Sequence, residues 1–417
     1  MKKLLTISII LLASTNLFAQ TVVSDSVTMG AGYANQIWYS MSGGEVSQSP
    51  NNNWDIAFTN YFMGASAYSN TAQGVTVFVV PNTDTLGFSV VDTTGYSGWQ
   101  QLNNSDTTWN RGAFNQNMGA FPDYGWGNYN QTSHEVTGDS LYLVRMGMAG
   151  SYTFKKLWII KKTVQGNWIF KYANLDNSNT VTHTILYADY IGKNFSYYSL
   201  TNDSALNREP ASANWDITFT RYTTYSPAIG CIPGVGYFNV TGVLHNEKIV
   251  AAQMNGADFT SATLTTPLDS NISTIGYDWK CSGQLVDSIV YFVKANGGSI
   301  WKLQFTKYEG SSTGKIVFNK SNLNVGISSV SEQINSMSLY PNPSTGNSSL
   351  IVDAKKAGVS ALNIYNTVGE TIATQTVTLK AGLNILPLNT IEIADGIYFV
   401  RNVSDKNSET LKLVIAR

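Results

Sequence analysis

Asn53-Trp54-Asp55-Ile56-Ala57-Phe58-Thr59-Asn60-Tyr61 and Asn214-Trp215-Asp216-Ile217-Thr218-Phe219-Thr220-Arg221-Tyr222 are two versions of one stretch. Large apolar residues alternate with small or polar ones. Trp54, Ile56 and Phe58 fall on one face, and Asp55, Ala57 and Thr59 on the other. Trp215, Ile217 and Phe219 repeat the pattern. A period of two is that of a half-buried strand with its large side chains in a core. The alternation therefore predicts equivalent core positions for Trp54 and Trp215.

The similarity extends outward. Ile37-Trp38-Tyr39-Ser40 precedes the first stretch and Ser196-Tyr197-Tyr198-Ser199-Leu200 the second. Tyr142-Leu143-Val144-Arg145 leads to Lys156-Leu157-Trp158-Ile159, as Tyr291-Phe292-Val293-Lys294 leads to Lys302-Leu303-Gln304-Phe305. Each copy closes on a strand-like run, Asn167-Trp168-Ile169-Phe170-Lys171-Tyr172 or Gly314-Lys315-Ile316-Val317-Phe318. Such self-similarity marks a duplication. Helical periodicity is hard to find beyond the N-terminus, so both copies read as antiparallel β domains, at 20–190 and 191–322.

Composition narrows the class. Charged residues make up 13% and aromatics 12%, which suits strands joined by polar turns. A formal net charge of −1 supplies no field for steering nucleic acid. Met1-Lys2-Lys3, the mostly apolar run Leu4 to Leu17, and Ala19 before Gln20 form a secretory signal peptide over 1–19, cleaved after Ala19. No cysteine follows that run to carry a lipid, and no later stretch is apolar enough to be a transmembrane segment. In an exported chain, Cys231 and Cys281 are expected to form one disulfide. A metal centre is not expected, since two thiols need further ligands and the chain has three His.

The last eighty or so residues carry four landmarks. They are Tyr340-Pro341-Asn342-Pro343 with Gly346, Leu362-Asn363-Ile364-Tyr365-Asn366 with Gly369-Glu370, Asp395-Gly396-Ile397-Tyr398-Phe399-Val400, and the basic-apolar end Lys412 to Arg417. In this order they resemble the type A C-terminal sorting domain of the type IX secretion system of Bacteroidetes. The resemblance implies a small Ig-like β-sandwich over 336–417, the type IX machinery as partner, and a protein that is secreted or attached to the cell surface. The run 323–335, with Ser, Gly, Val and Asn and no strong periodicity, reads as a linker.

The duplicated pattern of Trp-Asp-Ile-x-Phe, Tyr-x-Val-Arg/Lys and Lys-Leu resembles the HmuY-like domain. The first copy adds Trp126-Gly127-Asn128-Tyr129-Asn130-Gln131-Thr132-Ser133-His134-Glu135-Val136, similar to the family's aromatic stretch leading to a His. The second copy keeps Tyr277-Asp278-Trp279 without the His. The resemblance implies an all-β chain with two tandem HmuY-like domains before the sorting domain, and a binding protein for which haem is the permitted cofactor. Haem in that family is held by axial His or Met. His134, Met146 and Met148 are the candidate ligands, with Trp126 and Tyr129 as stacking surfaces, so the ligand is expected in the first copy. Each has a plainer reading: His134 bonding its neighbours at a strand edge, the Met side chains filling core gaps, and the aromatics packing together.

Catalysis finds no motif. There is no Gly-rich phosphate loop, no His-Glu-x-x-His helix and no Gly-x-Ser-x-Gly elbow. Asp55 and Asp216 recur at one place in both copies, as a shared structural role requires. The expected function is thus an exported, non-enzymatic binding protein, and the alternative is a structural or adhesion spacer of the cell surface.

Overall fold

Backbone pairing in this chain runs through antiparallel ladders, and the computed structural model describes it for residues 22–61, 64–147, 149–228, 231–232, 234–323, 334–404 and 407–417. The expected signal peptide, Met148 and most of the expected linker lie outside the described residues. Among those residues the only helical elements are short 3₁₀ segments. The all-β class expected from sequence is therefore what the chain adopts. It divides into two units, Met1–Leu323 and Asn324–Arg417.

The first unit holds two β-sandwiches. In one, the sheet Ser204–Leu206, Phe195–Ser199, Ile56–Thr59, Ala67–Ser69 covers a larger sheet built on Val181–Ile185, Trp168–Ala173, Thr153–Lys162, Tyr142–Met146, Thr76–Val79 and Gln101–Leu102. Ile56, Phe58, Tyr142, Val144, Leu157, Trp168, Phe170 and Tyr198 fill the space between them. In the other, the sheet Val235–His245, Ile217–Pro227, Asn35–Ser40, Gly44–Pro50 covers Val23–Thr28, Lys315–Asn322, Ile300–Tyr308, Ile289–Lys294 and Val250–Asn255. Its core has matching residues, with Ile217, Phe219, Tyr39, Tyr291, Val293, Leu303 and Phe318.

The strands cross the boundary expected at residue 190. Phe195–Ser199 lies beyond it, yet pairs with Ile56–Thr59 in the first sandwich. Asn35–Ser40 lies in the first copy by sequence, yet pairs with Ile217–Pro227 in the second sandwich, and Val23–Thr28 pairs with Lys315–Asn322. The spatial repeat begins at the Trp-Asp-Ile stretch and ends at the Tyr-Ser strand that follows it in space. For the second sandwich that strand comes from the N-terminus. Order along a chain shows which segments repeat but not which of them hydrogen-bond.

The same bonds close both sandwiches. Asp55 N donates to Tyr198 O at 2.9 Å and Asp216 N to Tyr39 O at 2.8 Å. The Asp55 carboxylate accepts from Thr201 N at 3.1 Å, and that of Asp216 from Met41 N at 2.7 Å. Asn70 Nδ2 donates to Trp54 O at 2.9 Å and Asn246 Nδ2 to Trp215 O at 2.8 Å. The repeated Lys-Leu pair is explained alongside. Leu157 and Leu303 enter the cores, while Lys156 and Lys302 face the other way and are buried. A buried ammonium needs acceptors. Lys156 Nζ finds Asn177 Oδ1 at 2.6 Å and Leu175 O at 3.3 Å, and Lys302 Nζ finds Phe259 O at 2.7 Å and Ala262 O at 3.0 Å.

Trp54 does not share the core face of Ile56 and Phe58. Each strand starts after a bend at the Asp, so the alternation does not reach back to the Trp. Trp54 is half-buried against Ala57 and Tyr197 on the opposite face, with its ring 5.1 Å from that of Tyr197. Trp215 is 1% exposed but likewise stands outside the central core cluster. Cys231 and Cys281 are joined as expected, linking the turn of the hairpin Ile217–Pro227/Val235–His245 to Lys280–Cys281 across 50 residues.

The second unit is a sandwich of the sheets Ile334–Tyr340, Ser348–Ala354, Gly382–Leu388 and Thr371–Leu379, Gly358–Tyr365, Gly396–Ser404, Asn407–Ile415 around Leu350, Val352, Leu362, Ile364, Val400 and Leu413.

The exchanged strands make a direct prediction. Residues 51–210 expressed alone should show dispersed amide resonances and cooperative unfolding. Residues 191–322 alone should show neither, and adding a peptide of residues 22–50 should restore both.

Candidate functional site

In each four-stranded sheet, one face is spent on its own core. Ile56, Phe58 and Tyr198 point into the first core, so Ala57, Phe195 and Tyr197 fall on the opposite face. Ile37, Tyr39, Ile217 and Phe219 point into the second core, leaving Gln36, Trp38, Thr218 and Thr220 on the other side. These two opposite faces meet. Trp38, Phe195, Tyr197 and Thr218 are all buried.

Polar bonds bridge the two sandwiches around the contact. Trp109 Nε1 donates to His245 O at 2.9 Å, Asn194 Nδ2 to Asn246 Oδ1 at 2.7 Å, and Thr223 Oγ1 to Thr71 Oγ1 at 2.9 Å. Arg208 donates to Gln36 Oε1 at 2.7 Å and Pro50 O at 2.8 Å. Its guanidinium lies 5.2 Å from the centre of the Trp38 ring, 5.8 Å from that of Trp54 and 4.9 Å from that of Tyr197. Cation–π attraction and the planar fork suit arginine to this position.

The faces do not close completely. A cavity of about 90 Å³ remains, walled by Trp38, Trp54, Trp109, Trp215, Tyr68 and Tyr197 and rimmed by Asn104, Asp106 and Arg221. Three residues of its wall carry buried polar atoms with no hydrogen-bond partner: Trp215 Nε1, Ser69 Oγ and Tyr222 Oη. Ser69 pairs with Ile56 and so shares the first-core face, and Tyr222 Oη lies toward Gly276, so these two groups sit behind the wall of the cavity. A wider opening of about 480 Å³ lies under residues 81–99, between Val80, Val91, Asp92 and Trp99, but no unpartnered buried group lines it.

Glu209 also lines the cavity and is 2% exposed. Burial pushes its carboxyl up to about 7. Bonds from Asn194 N at 3.1 Å, Tyr197 Oη at 3.2 Å and Phe195 N at 3.2 Å oppose that rise. Burial likewise raises the Tyr68, Tyr197 and Tyr222 hydroxyls, which stay protonated and able to donate.

The residues singled out from sequence are not gathered at this cavity. His134 sits in an exposed turn at φ +57°, with Nδ1 2.7 Å from Tyr129 Oη. Trp126 is fully buried in the first core and donates to Ala65 O at 2.8 Å. Tyr129 packs at the edge of that core, and Met146 is buried within it. Among the described residues, no His, Met or Cys lines the cavity, no cluster of His, Cys, Asp and Glu is arranged to hold a metal ion, and no helix is long and apolar enough to cross a membrane. One sequence signal did exist: Ile37-Trp38-Tyr39 and Tyr197-Tyr198 put large side chains on consecutive positions, which a strand buried on both faces requires.

In the second unit the opening motif holds the terminal strand. Asn342 Oδ1 accepts from Val414 N at 2.9 Å and Asn342 Nδ2 donates to Lys412 O at 2.7 Å. Ser344 N donates to Val414 O at 2.8 Å, and Ala416 N to Ser344 O at 3.0 Å. Arg417 pairs with Asp395 at 3.4 Å and donates to the carbonyls of Ile391 and Ile393. Tyr340 is exposed, so its place in the motif is not a core position.

Two sandwiches facing across a Trp-walled cavity make up the β-rich first unit, and the tail is the second. Residues 338–416 match the family model of the secretion system C-terminal sorting domain. This tail marks the chain as cargo of the type IX system, exported to the cell surface or the medium. Among solved structures, the chain is similar to dimeric latent PorU from Porphyromonas gingivalis at 7% identity and a TM-score of 0.18, over 92% of this chain and 34% of that one. It thus spans about a third of that protein's length. No curated protein matches.

Two measurements check these sites. The Glu209 carboxyl is raised above its ordinary value of 4.5, so its stabilising contribution is full below that pH and is lost as pH rises through about 7. Glu209→Gln should flatten the fall in unfolding free energy over this window by up to roughly 3 kcal/mol relative to the parent. In the tail, Asn342→Ala should lower the stability of residues 334–417 by about 1–3 kcal/mol in denaturant unfolding, by removing two bonds to the terminal strand.

Proposed function

We propose that, once exported, the protein acts as a binding protein that holds a small ligand between its two sandwiches. The observation that carries this is the cavity left between the two sandwiches, walled by Trp38, Trp54, Trp109 and Trp215. An apolar concavity with a few converging polar groups is what a small-molecule site is made of. Glu209, with its perturbed carboxyl, stands at the same place. A spacer would gain stability by filling the space.

The test uses tryptophan emission of the mature full chain, since Trp38, Trp54, Trp109 and Trp215 wall the cavity. A panel of monosaccharides, amino acids and nucleobases is titrated at up to millimolar concentration. Saturable change with at least one class is expected, and none with any class favours the spacer. Haem is titrated separately. A Soret shift would favour the ligand implied by the HmuY-like resemblance and direct attention away from this cavity.

A further inference from the structure

The tail carries a surface that its own fold does not explain. Its four-stranded sheet turns Leu362, Ile364, Val400 and Leu413 inward, so the alternate positions of the same strands face out. On Thr371–Leu379 these positions include Thr374, Thr376 and Thr378, all exposed, as a water-facing sheet requires. Two strands away the character changes. Ile397 and Phe399 stand outward on Gly396–Ser404 and are 43% and 38% exposed. Phe399 has Tyr365 opposite it on one side and Lys412 on the other, and Ile397 has Val414 opposite. Tyr365, Phe399 and Lys412 thus form one row across neighbouring strands, roughly 10 Å long at the ordinary strand spacing. Among the described residues, the outward positions of these strands carry the cations Lys412 and Arg401 and no carboxylate.

We infer that this row is the face by which a protein of the export machinery reads the tail, and that the reader presents an apolar surface with a carboxylate beside it. The tail matches a sorting domain, and a domain that sorts must be read by another protein. The landmark segments divide by what they do in the fold. Leu362, Ile364 and Val400 fill the core, Asn342 holds the terminal strand, and Asp395 holds Arg417. Tyr365, Phe399 and Lys412 come from three different landmarks and meet in register outside the core. Exposed aromatic rings are the anchors of protein interfaces, and a cation beside them selects a partner by charge complementarity. The opposite sheet also shows apolar side chains, Leu383 at 71% and Ile385 at 65% exposed, but neither belongs to a landmark. That face is the natural comparison.

The experiment expresses the full chain, residues 1–19 included, in a bacterium with a working type IX system. It reads the fraction found outside the outer membrane and the trypsin resistance of any chain retained in the periplasm. Tyr365→Ser, Phe399→Ser and Lys412→Glu should each lower the exported fraction about tenfold, as loss of an anchor does at an interface. The retained chain should resist trypsin as the parent does. The pair Leu383→Ser with Ile385→Ser should export normally. Normal export of either Phe399→Ser or Lys412→Glu overturns the assignment. So does an equal loss with the Leu383 and Ile385 pair, since reading would then follow the whole tail and not one face. If a ring variant loses trypsin resistance, Lys412→Glu decides alone, because its side chain is exposed and lies outside the core. Deleting residues 338–416 tests sorting itself: normal export of that chain removes the tail as the signal, a failure distinct from loss of the row.

Discussion

A strand inside a sheet has two edges, and every N–H and C=O on both must find a partner. Ile56–Thr59 finds one of its neighbours in Phe195–Ser199, and Ile217–Pro227 finds one in Asn35–Ser40. The rest of the first unit depends on this exchange. It sets which residues share a core, and it binds the N-terminal segment to the last strands before residue 323. The carboxylates of Asp55 and Asp216 hold the exchange in place by accepting amides from the incoming segments, at Thr201 and Met41. Their recurrence is structural, and the bend each makes turns the preceding Trp away from the core.

That turn has a consequence for the site. With Trp54 and Trp215 deflected, the four-stranded sheets carry aromatic side chains on the faces that ordinary sandwiches leave to water. Two such faces can only be buried against each other. Flat Trp and Tyr rings meeting across two twisted sheets do not tile perfectly, and the residual space becomes the cavity. Its polarity follows in part from position, because Thr218 and Thr220 alternate with the core residues Ile217 and Phe219 and so line it.

Much of this was legible in the sequence. The repeated Trp-Asp-Ile-x-Phe stretch marked the duplication, the alternation of Ile56 and Phe58 placed their faces, and the pairing of Cys231 with Cys281 followed from their being two in an exported chain. The tail was readable because its landmarks lie close together. The site was not. Its walls come from Trp38, Trp109 and Trp215, far apart in sequence, and only strand pairing brings them to one place. The stretch around His134 drew attention through its composition, but a turn at positive φ exposes the imidazole while Trp126 sinks into the core. Local composition cannot tell a wall from a filling.

The ladder between Val23–Thr28 and Lys315–Asn322 places the beginning of the first unit beside its end, with Val23 opposite Lys320. Chains emerge from synthesis N-terminus first. The first sandwich is complete once residue 206 has emerged, but in the second the free edge of Asn35–Ser40 waits for Ile217–Phe219, and Val23–Thr28 has no partner until Lys315–Asn322 arrives. Contacts of such span close slowly. The vacant strand edges in the interval are templates for aggregation. The second sandwich is therefore the last part of the first unit able to lock, only after nearly all of that unit has been made.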